Sequence, residues 1–171
     1  MEKVKFGIMG CGRIAARFAE ALRVSEYGEA YACAARELSR AEAFAQEHAC
    51  TKSYGNYEEM LADPGVEAVY IATVNNTHAP YAQMCINAGK AVLCEKPFFM
   101  CRKDAEETFA LAKEKGILCM EGFWTRTVPS FLKMREWIDS GRIGELKLIR
   151  AGFCFRMPYN EQIKKVTSGD R

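Results

Sequence analysis

Close to the N-terminus, Gly10-Cys11-Gly12-Arg13-Ile14-Ala15 stands between a short apolar run, Val4–Met9, and a stretch with Ile14, Phe18 and Leu22 at helical spacing. This strand–turn–helix context constrains the fold more than any other feature, because it gives the G-x-G-x-x-A pattern a physical use. The first glycine permits a tight turn. The second lets the backbone approach a pyrophosphate, whose charge meets the free N–H groups of the helix N-terminus. Ala15, where a third glycine is common, still keeps helix and strand close. Gly10, Gly12, Arg13 and Ile14 are therefore candidate residues for binding a dinucleotide. A glycine turn kept for packing alone is the competing reading.

The rest of the chain repeats this unit. Strands are expected at Glu29–Ala35, Val66–Ala72, Ala91–Cys94 and Ile117–Met120, and helices at Leu38–His48, Tyr57–Leu61, Ala79–Ala88 and Asp104–Lys115. Val66–Ala72 is nearly all apolar, as in a parallel strand covered by helices on both faces. Asp63-Pro64-Gly65 and Gly116 punctuate the series. Strands alternating with helices across short connections indicate an α/β fold, a Rossmann-type doubly wound parallel sheet.

Beyond Glu121 the pattern changes. A helix is expected at Pro129–Asp139, a turn at Gly141–Gly144 and a long strand at Glu145–Phe155, followed by a polar, patternless Asn160–Arg171. A long apolar strand needs a partner. The sequence therefore divides into a dinucleotide-binding domain, 1–124, and the start of a second, α+β domain, 125–171, that is cut short.

Composition narrows the function classes. At 171 residues and 49% hydrophobic, the chain can build a sizeable core. Its 24 basic and 22 acidic residues are spread along it, which argues against nucleic acid or a membrane surface as partner. No apolar stretch is long enough to span a bilayer, and no secretory leader is evident. The eight cysteines form no C-x-x-C pair, and several lie in apolar runs such as Ala91–Cys94. They read as reduced thiols of a cytoplasmic protein rather than disulfides or zinc ligands.

The end of the second strand selects the cofactor. Nucleotide folds that take NAD usually place an acid there for the ribose hydroxyls. Here Tyr31-Ala32-Cys33-Ala34-Ala35 runs into Arg36, whose guanidinium suits a 2′-phosphate, with Ser39 and Arg40 just beyond. This favours NADP over NAD. Glu37, if turned inward, would favour the opposite. A second candidate closes an apolar strand at Cys94-Glu95-Lys96-Pro97. Lys96 there can protonate or deprotonate a hydroxyl, or polarise a carbonyl, and Pro97 sets its direction. Taken alone, Glu95–Lys96 reads more readily as a surface ion pair than as a functional one.

The glycine turn, Thr73-Val74-Asn75-Asn76-Thr77-His78 and Glu95-Lys96-Pro97 together resemble the glucose–fructose oxidoreductase/inositol dehydrogenase (Gfo/Idh/MocA) family. Ala34–Ala41 and Glu121-Gly122-Phe123-Trp124-Thr125-Arg126 are similar to its dihydrodiol dehydrogenase and NADP-dependent xylose dehydrogenase branch. The resemblance runs from about residue 4 to residue 156. It implies that Lys96 is the catalytic lysine beside the nicotinamide, positioned by Glu95 and Pro97. It also implies that Thr73, Asn75 and His78 line the cleft near the nicotinamide ribose, and that Trp124 and Arg126 face cofactor or substrate at a hinge. Val74 departs from the proline common at that point. Family members continue for roughly another 150 residues, in a domain that carries much of the substrate site and often a dimer interface.

The expected function is that of an NADP-dependent dehydrogenase, passing hydride between NADP(H) and a sugar, polyol or dihydrodiol. The small, carbohydrate-like substrate and a homo-oligomer in the full-length protein follow from the resemblance. The alternative is a stand-alone module that senses NADP(H) without turnover. No metal site is expected.

Overall fold

A computed structural model of the chain describes residues 2–154 and 156. The chain divides into two compact units, Met1–Thr127 and Val128–Arg171. In the first, β1 (Val4–Met9) leads through the glycine turn into α1 (Arg13–Val24). β2 (Gly28–Ala34), α2 (Leu38–His48), β3 (Lys52–Tyr54), α3 (Tyr57–Ala62) and β4 (Ala68–Ile71) follow. α4 (His78–Asn87), β5 (Ala91–Cys94), α5 (Arg102–Lys115) and β6 (Cys119–Glu121) complete it. The strands form one sheet in the order β3-β2-β1-β4-β5-β6. Every neighbouring pair is parallel.

Alternation along the central strands builds two cores. Met9, Val69, Ile71, Val92 and Cys94 face α3, α4 and α5 through Met60, Ala82, Ile86 and Ala112. Ile8, Cys33 and Tyr70 face α1 and α2 through Ala15, Ala19, Ala41 and Phe44. Ile8, Met9 and Ile71 are fully enclosed, each worth roughly 1.5–3 kcal/mol of apolar burial. Ala15 is completely buried, so a small residue does bring α1 against the sheet.

Two expectations differ from the structure. The polar segment after α2 contains β3, which pairs Lys52 with Ala32 and Tyr54 with Ala34. An edge strand of three residues, half facing water, has no apolar run to announce it. Conversely, Glu145–Cys154 forms no strand, and Phe155 lies outside the described residues, as does the polar tail Asn160–Arg171. In the second unit, the only regular element among the described residues is α6 (Pro129–Asp139). Among the described residues of this unit no strand is present for Glu145–Cys154 to pair with, and an apolar segment without a partner strand cannot pair its backbone N–H and C=O groups in a ladder. Smaller shifts move the last strand to Cys119–Glu121 and start α5 at Arg102.

The order in which strands are added reverses between β1 and β4: β1 continues to β2 on one side, and β4 to β5 on the other. Ligands of open α/β sheets bind in the crevice beyond the strand ends at such a point.

Candidate functional site

The C-terminal ends of β1, β4 and β5 carry the glycine turn, Thr73 and the Glu95–Lys96 pair around this crevice. Gly10 needs to be glycine for the protein's own sake. Its φ is +94°, and a Cβ there would lie 3.0 Å from the Ala72 carbonyl oxygen. Gly12 is different, because a Cβ there would meet nothing within 4 Å. The open space in front of Gly12 is a cradle into which a phosphate fits.

Three cavities adjoin along the crevice. The first, about 270 Å³, is lined by Gly10, Cys11, Gly12, Arg36, Arg40, Thr73, Thr77, Tyr57 and Tyr81, among others. Its only charged lining groups are the two guanidiniums, so its field suits a phosphate. The second, about 470 Å³, is bounded by Arg13, Ile14, Arg17, Thr73, Asn75, Glu95 and Lys96. Thr73 is common to both. The third, about 730 Å³, is largely apolar and shares Glu95 with the second. Trp124 and Arg126 line it beside Phe18, Tyr70, Phe98 and Phe123.

Hydrogen bonds hold the loops around the crevice. Tyr70, on β4, donates its hydroxyl to Glu95 Oε1 across 2.6 Å, and the Lys96 N–H donates to Glu95 Oε2 at 3.2 Å. Burial and the bond to Glu95 push the Tyr70 phenol well above its ordinary range. His78 is fully buried at the start of α4. Its Nδ1 lies 2.9 Å from the Pro97 carbonyl oxygen and its Nε2 lies 3.2 Å from that of Thr73. Both oxygens are acceptors and a single tautomer carries one N–H, so the ring donates to one of them while lying against both the loop after β5 and the end of β4. The Lys96–Pro97 peptide is cis. Glu121 Oε1 accepts from the Phe98 N–H at 2.9 Å, joining β6 to the same loop.

Sequence-predicted residues Gly10, Gly12, Arg36, Arg40 and Thr73 gather in the first cavity. Arg13, Ile14, Thr73, Asn75, Glu95 and Lys96 gather in the second. Trp124 and Arg126 face the third. Two residues do not join them. Ser39 is exposed and lines none of the three, and His78 acts from behind the cleft rather than within it. Glu37 is likewise exposed and outside the first cavity. Reading by motif missed Cys11, Arg17, Tyr57, Thr77 and Tyr81. Arg17 had a signal, standing one helical turn after Arg13. Tyr57 and Tyr81 had none, since separate crossovers bring them edge to face at 4.9 Å between ring centroids. Among the described residues, no three His, Cys, Asp or Glu side chains group as a metal site.

Known proteins are similar to this chain in sequence and fold. The profile of the Gfo/Idh/MocA family, described as an oxidoreductase family with an NAD-binding Rossmann fold, matches residues 4–123. Trans-1,2-dihydrobenzene-1,2-diol dehydrogenase of Mus musculus is 41% identical over 158 residues, covering 91% of this chain and 47% of that protein. The chain thus spans about half the length of the curated relatives it matches. The crystal structure of an NAD-binding oxidoreductase from Klebsiella pneumoniae aligns with TM-score 0.79 at 30% identity, covering 84% of this chain and 40% of that one. A 3-ketoreductase of Actinomadura kijaniata, crystallised with NADP, aligns with TM-score 0.77 at 34% identity, over 84% of this chain and 46% of its own. On the strength of the matched span, which includes the glycine turn, Thr73 and Lys96, the chain belongs to the Gfo/Idh/MocA oxidoreductase family.

Proposed function

We propose that this chain is the cofactor-binding portion of an NADP-dependent oxidoreductase acting on a hydroxyl or carbonyl group of a sugar, polyol or dihydrodiol. The observation that carries the reading is the continuity of the crevice. A doubly cationic cavity, the Gly12 cradle and Lys96 follow one another along the strand ends. Arg36 and Arg40 hold the 2′-phosphate, while the N–H groups of the turn and of the α1 N-terminus face the pyrophosphate. When bound, the nicotinamide supplies or accepts the hydride. Lys96 takes the hydroxyl proton during oxidation and returns it to the carbonyl oxygen during reduction. Glu95, held by Tyr70, and His78, through Pro97, fix the loop that presents this amine. Residues 125–171 open the domain that completes the substrate site and the subunit contact. Reduced thiols at all eight cysteines support a cytoplasmic setting.

The test compares NADPH and NADH binding by fluorescence titration, with Arg36→Ala alongside. Loss of a charged partner for the 2′-phosphate is worth about 1.5–3 kcal/mol, a fall of about 10- to 100-fold for NADPH. NADH affinity stays unchanged. Failure of the folded chain to bind either nucleotide overturns the reading.

A further inference from the structure

Two hydroxyls meet where the doubly cationic cavity adjoins the Lys96 cavity. Thr73, just past β4, lines both, and Thr77 lines the first. Their Oγ1 atoms lie 2.8 Å apart, and Thr77 Oγ1 lies 2.7 Å from the Val74 carbonyl oxygen. A threonine hydroxyl has one proton to donate and two lone pairs with which to accept. The Val74 carbonyl has no proton, so Thr77 donates to it, since two acceptors this close would repel. With that proton committed, the bond between the two hydroxyls is donated by Thr73.

Both side chains are held in this pose. The Thr73 methyl faces Gly10, where an added Cβ would lie 3.1 Å from its Cγ2. The Thr73 carbonyl oxygen is 3.2 Å from His78 Nε2, behind the cleft. Thr77 closes the 3-10 turn Asn75–Thr77, and its own N–H donates to the Val74 oxygen at 2.9 Å. A β-branched side chain engaged through both its methyl and its hydroxyl keeps a single χ1 rotamer.

We propose that Thr77 is a positioning residue that takes up the Thr73 hydroxyl proton, so that Thr73 offers the crevice an acceptor and no donor. That polarity selects what Thr73 binds. The oxygens of a pyrophosphate are acceptors themselves and form no hydrogen bond with it. On the way from the Gly12 cradle to Lys96, the first groups of NADP(H) able to donate are the hydroxyls of the nicotinamide ribose. Thr73 receives one of them, which sets how far along the crevice the nicotinamide reaches toward Lys96. Thr77 touches neither group and acts only through Thr73. The assignment rests on the reading of the crevice as the NADP site.

The experiment titrates the chain with NADPH and with adenosine 2′,5′-bisphosphate, which carries the adenosine half but no nicotinamide ribose. Thr73→Val keeps the methyl against Gly10 and deletes the acceptor. Thr77→Val leaves the Thr73 proton free to turn into the crevice. Each is expected to weaken NADPH by about 3- to 10-fold, and the double variant no further than the weaker-binding single. Thr77→Ser keeps the parent affinity, and adenosine 2′,5′-bisphosphate binds every variant alike. Independently of any variant's folding, the unmodified chain is titrated with NADPH analogues lacking the 2′- or the 3′-hydroxyl of the nicotinamide ribose. One of the two should lose affinity by the same factor, and full affinity for both overturns the proposal. Additive losses in the double variant, or Thr77→Ser binding as weakly as Thr77→Val, also overturn it. So does an equal loss for adenosine 2′,5′-bisphosphate, which would put the acceptor beside the adenosine instead. A folded parent chain that binds neither ligand refutes the cofactor reading itself, and this assignment with it.

Discussion

The hydroxyl of Tyr70 donates to Glu95 across 2.6 Å, from one β-strand end to the next, while Phe18 stacks on the Tyr70 ring at 3.8 Å between centroids. The carboxylate next to Lys96 is thus anchored by a residue that the sheet itself makes rigid. Tyr70→Phe keeps the stacked ring and deletes the bond. It is expected to lower stability by about 1–2 kcal/mol in urea unfolding. An unchanged midpoint would show that water replaces the phenol without loss.

The same phenol sets an alkaline limit. Tyr70 is held above its ordinary value, and Tyr54 is pushed up to about 12 by burial and its bond to Asp63. Both groups keep their protons in the fold after the unfolded chain, near 10.0, begins to lose them. Their stabilisation is full below that value and is lost as pH rises through the folded values. Unfolding midpoints should therefore fall from about pH 10 upward, less steeply in Tyr70→Phe.

Asp63 sets the acid limit. Burial raises its pKa, but donation from Lys52 Nζ (2.8 Å), the Tyr54 hydroxyl (2.6 Å) and the Gly65 N–H (2.8 Å) outweighs this. The carboxyl is held well below its ordinary 3.8, so its stabilisation is present above that pH and disappears as the solution is acidified. Asp63→Asn should cost about 1.5–3 kcal/mol at neutral pH, with the gap to the parent closing in acid.

The two glycines of the turn should separate when each is replaced by alanine. Gly10→Ala forces a Cβ against Ala72 at positive φ, and should lower stability by about 1–3 kcal/mol together with nucleotide binding. Gly12→Ala meets no protein atom and should leave the thermal midpoint in place. Nucleotide affinity should nevertheless drop, because the new methyl fills the phosphate cradle. Equal thermal losses in the two variants would contradict this division.

Lys96 is exposed, so its removal tests chemistry apart from folding. Lys96→Met should bind NADPH as the parent does and unfold at the same temperature. In the complete enzyme proposed above, turnover should fall by about 10²–10⁴, the usual contribution of a positioned proton donor.

Local sequence determined much of this protein. The β1–Gly10–α1 unit, α2 at Leu38–His48 and β5 at Ala91–Cys94 match their expected spans. Each depends on neighbouring residues: an apolar run, a turn glycine, a face at helical spacing. Gly10, Arg36 and Lys96 were readable because they follow strand ends, and every strand end of a parallel sheet points to one edge. Tertiary structure decided what comes from different crossovers. β3 exists because β2 offers Lys52–Tyr54 a ladder, and Glu145–Cys154 is irregular in a unit with no strand among its described residues. The placing of His78 behind the cleft and of Tyr57 and Tyr81 at its cationic end has the same origin. Propensity and periodicity act over a few residues. Contact across the sheet depends on strand order and register, which arise only when all the apolar faces are buried at once.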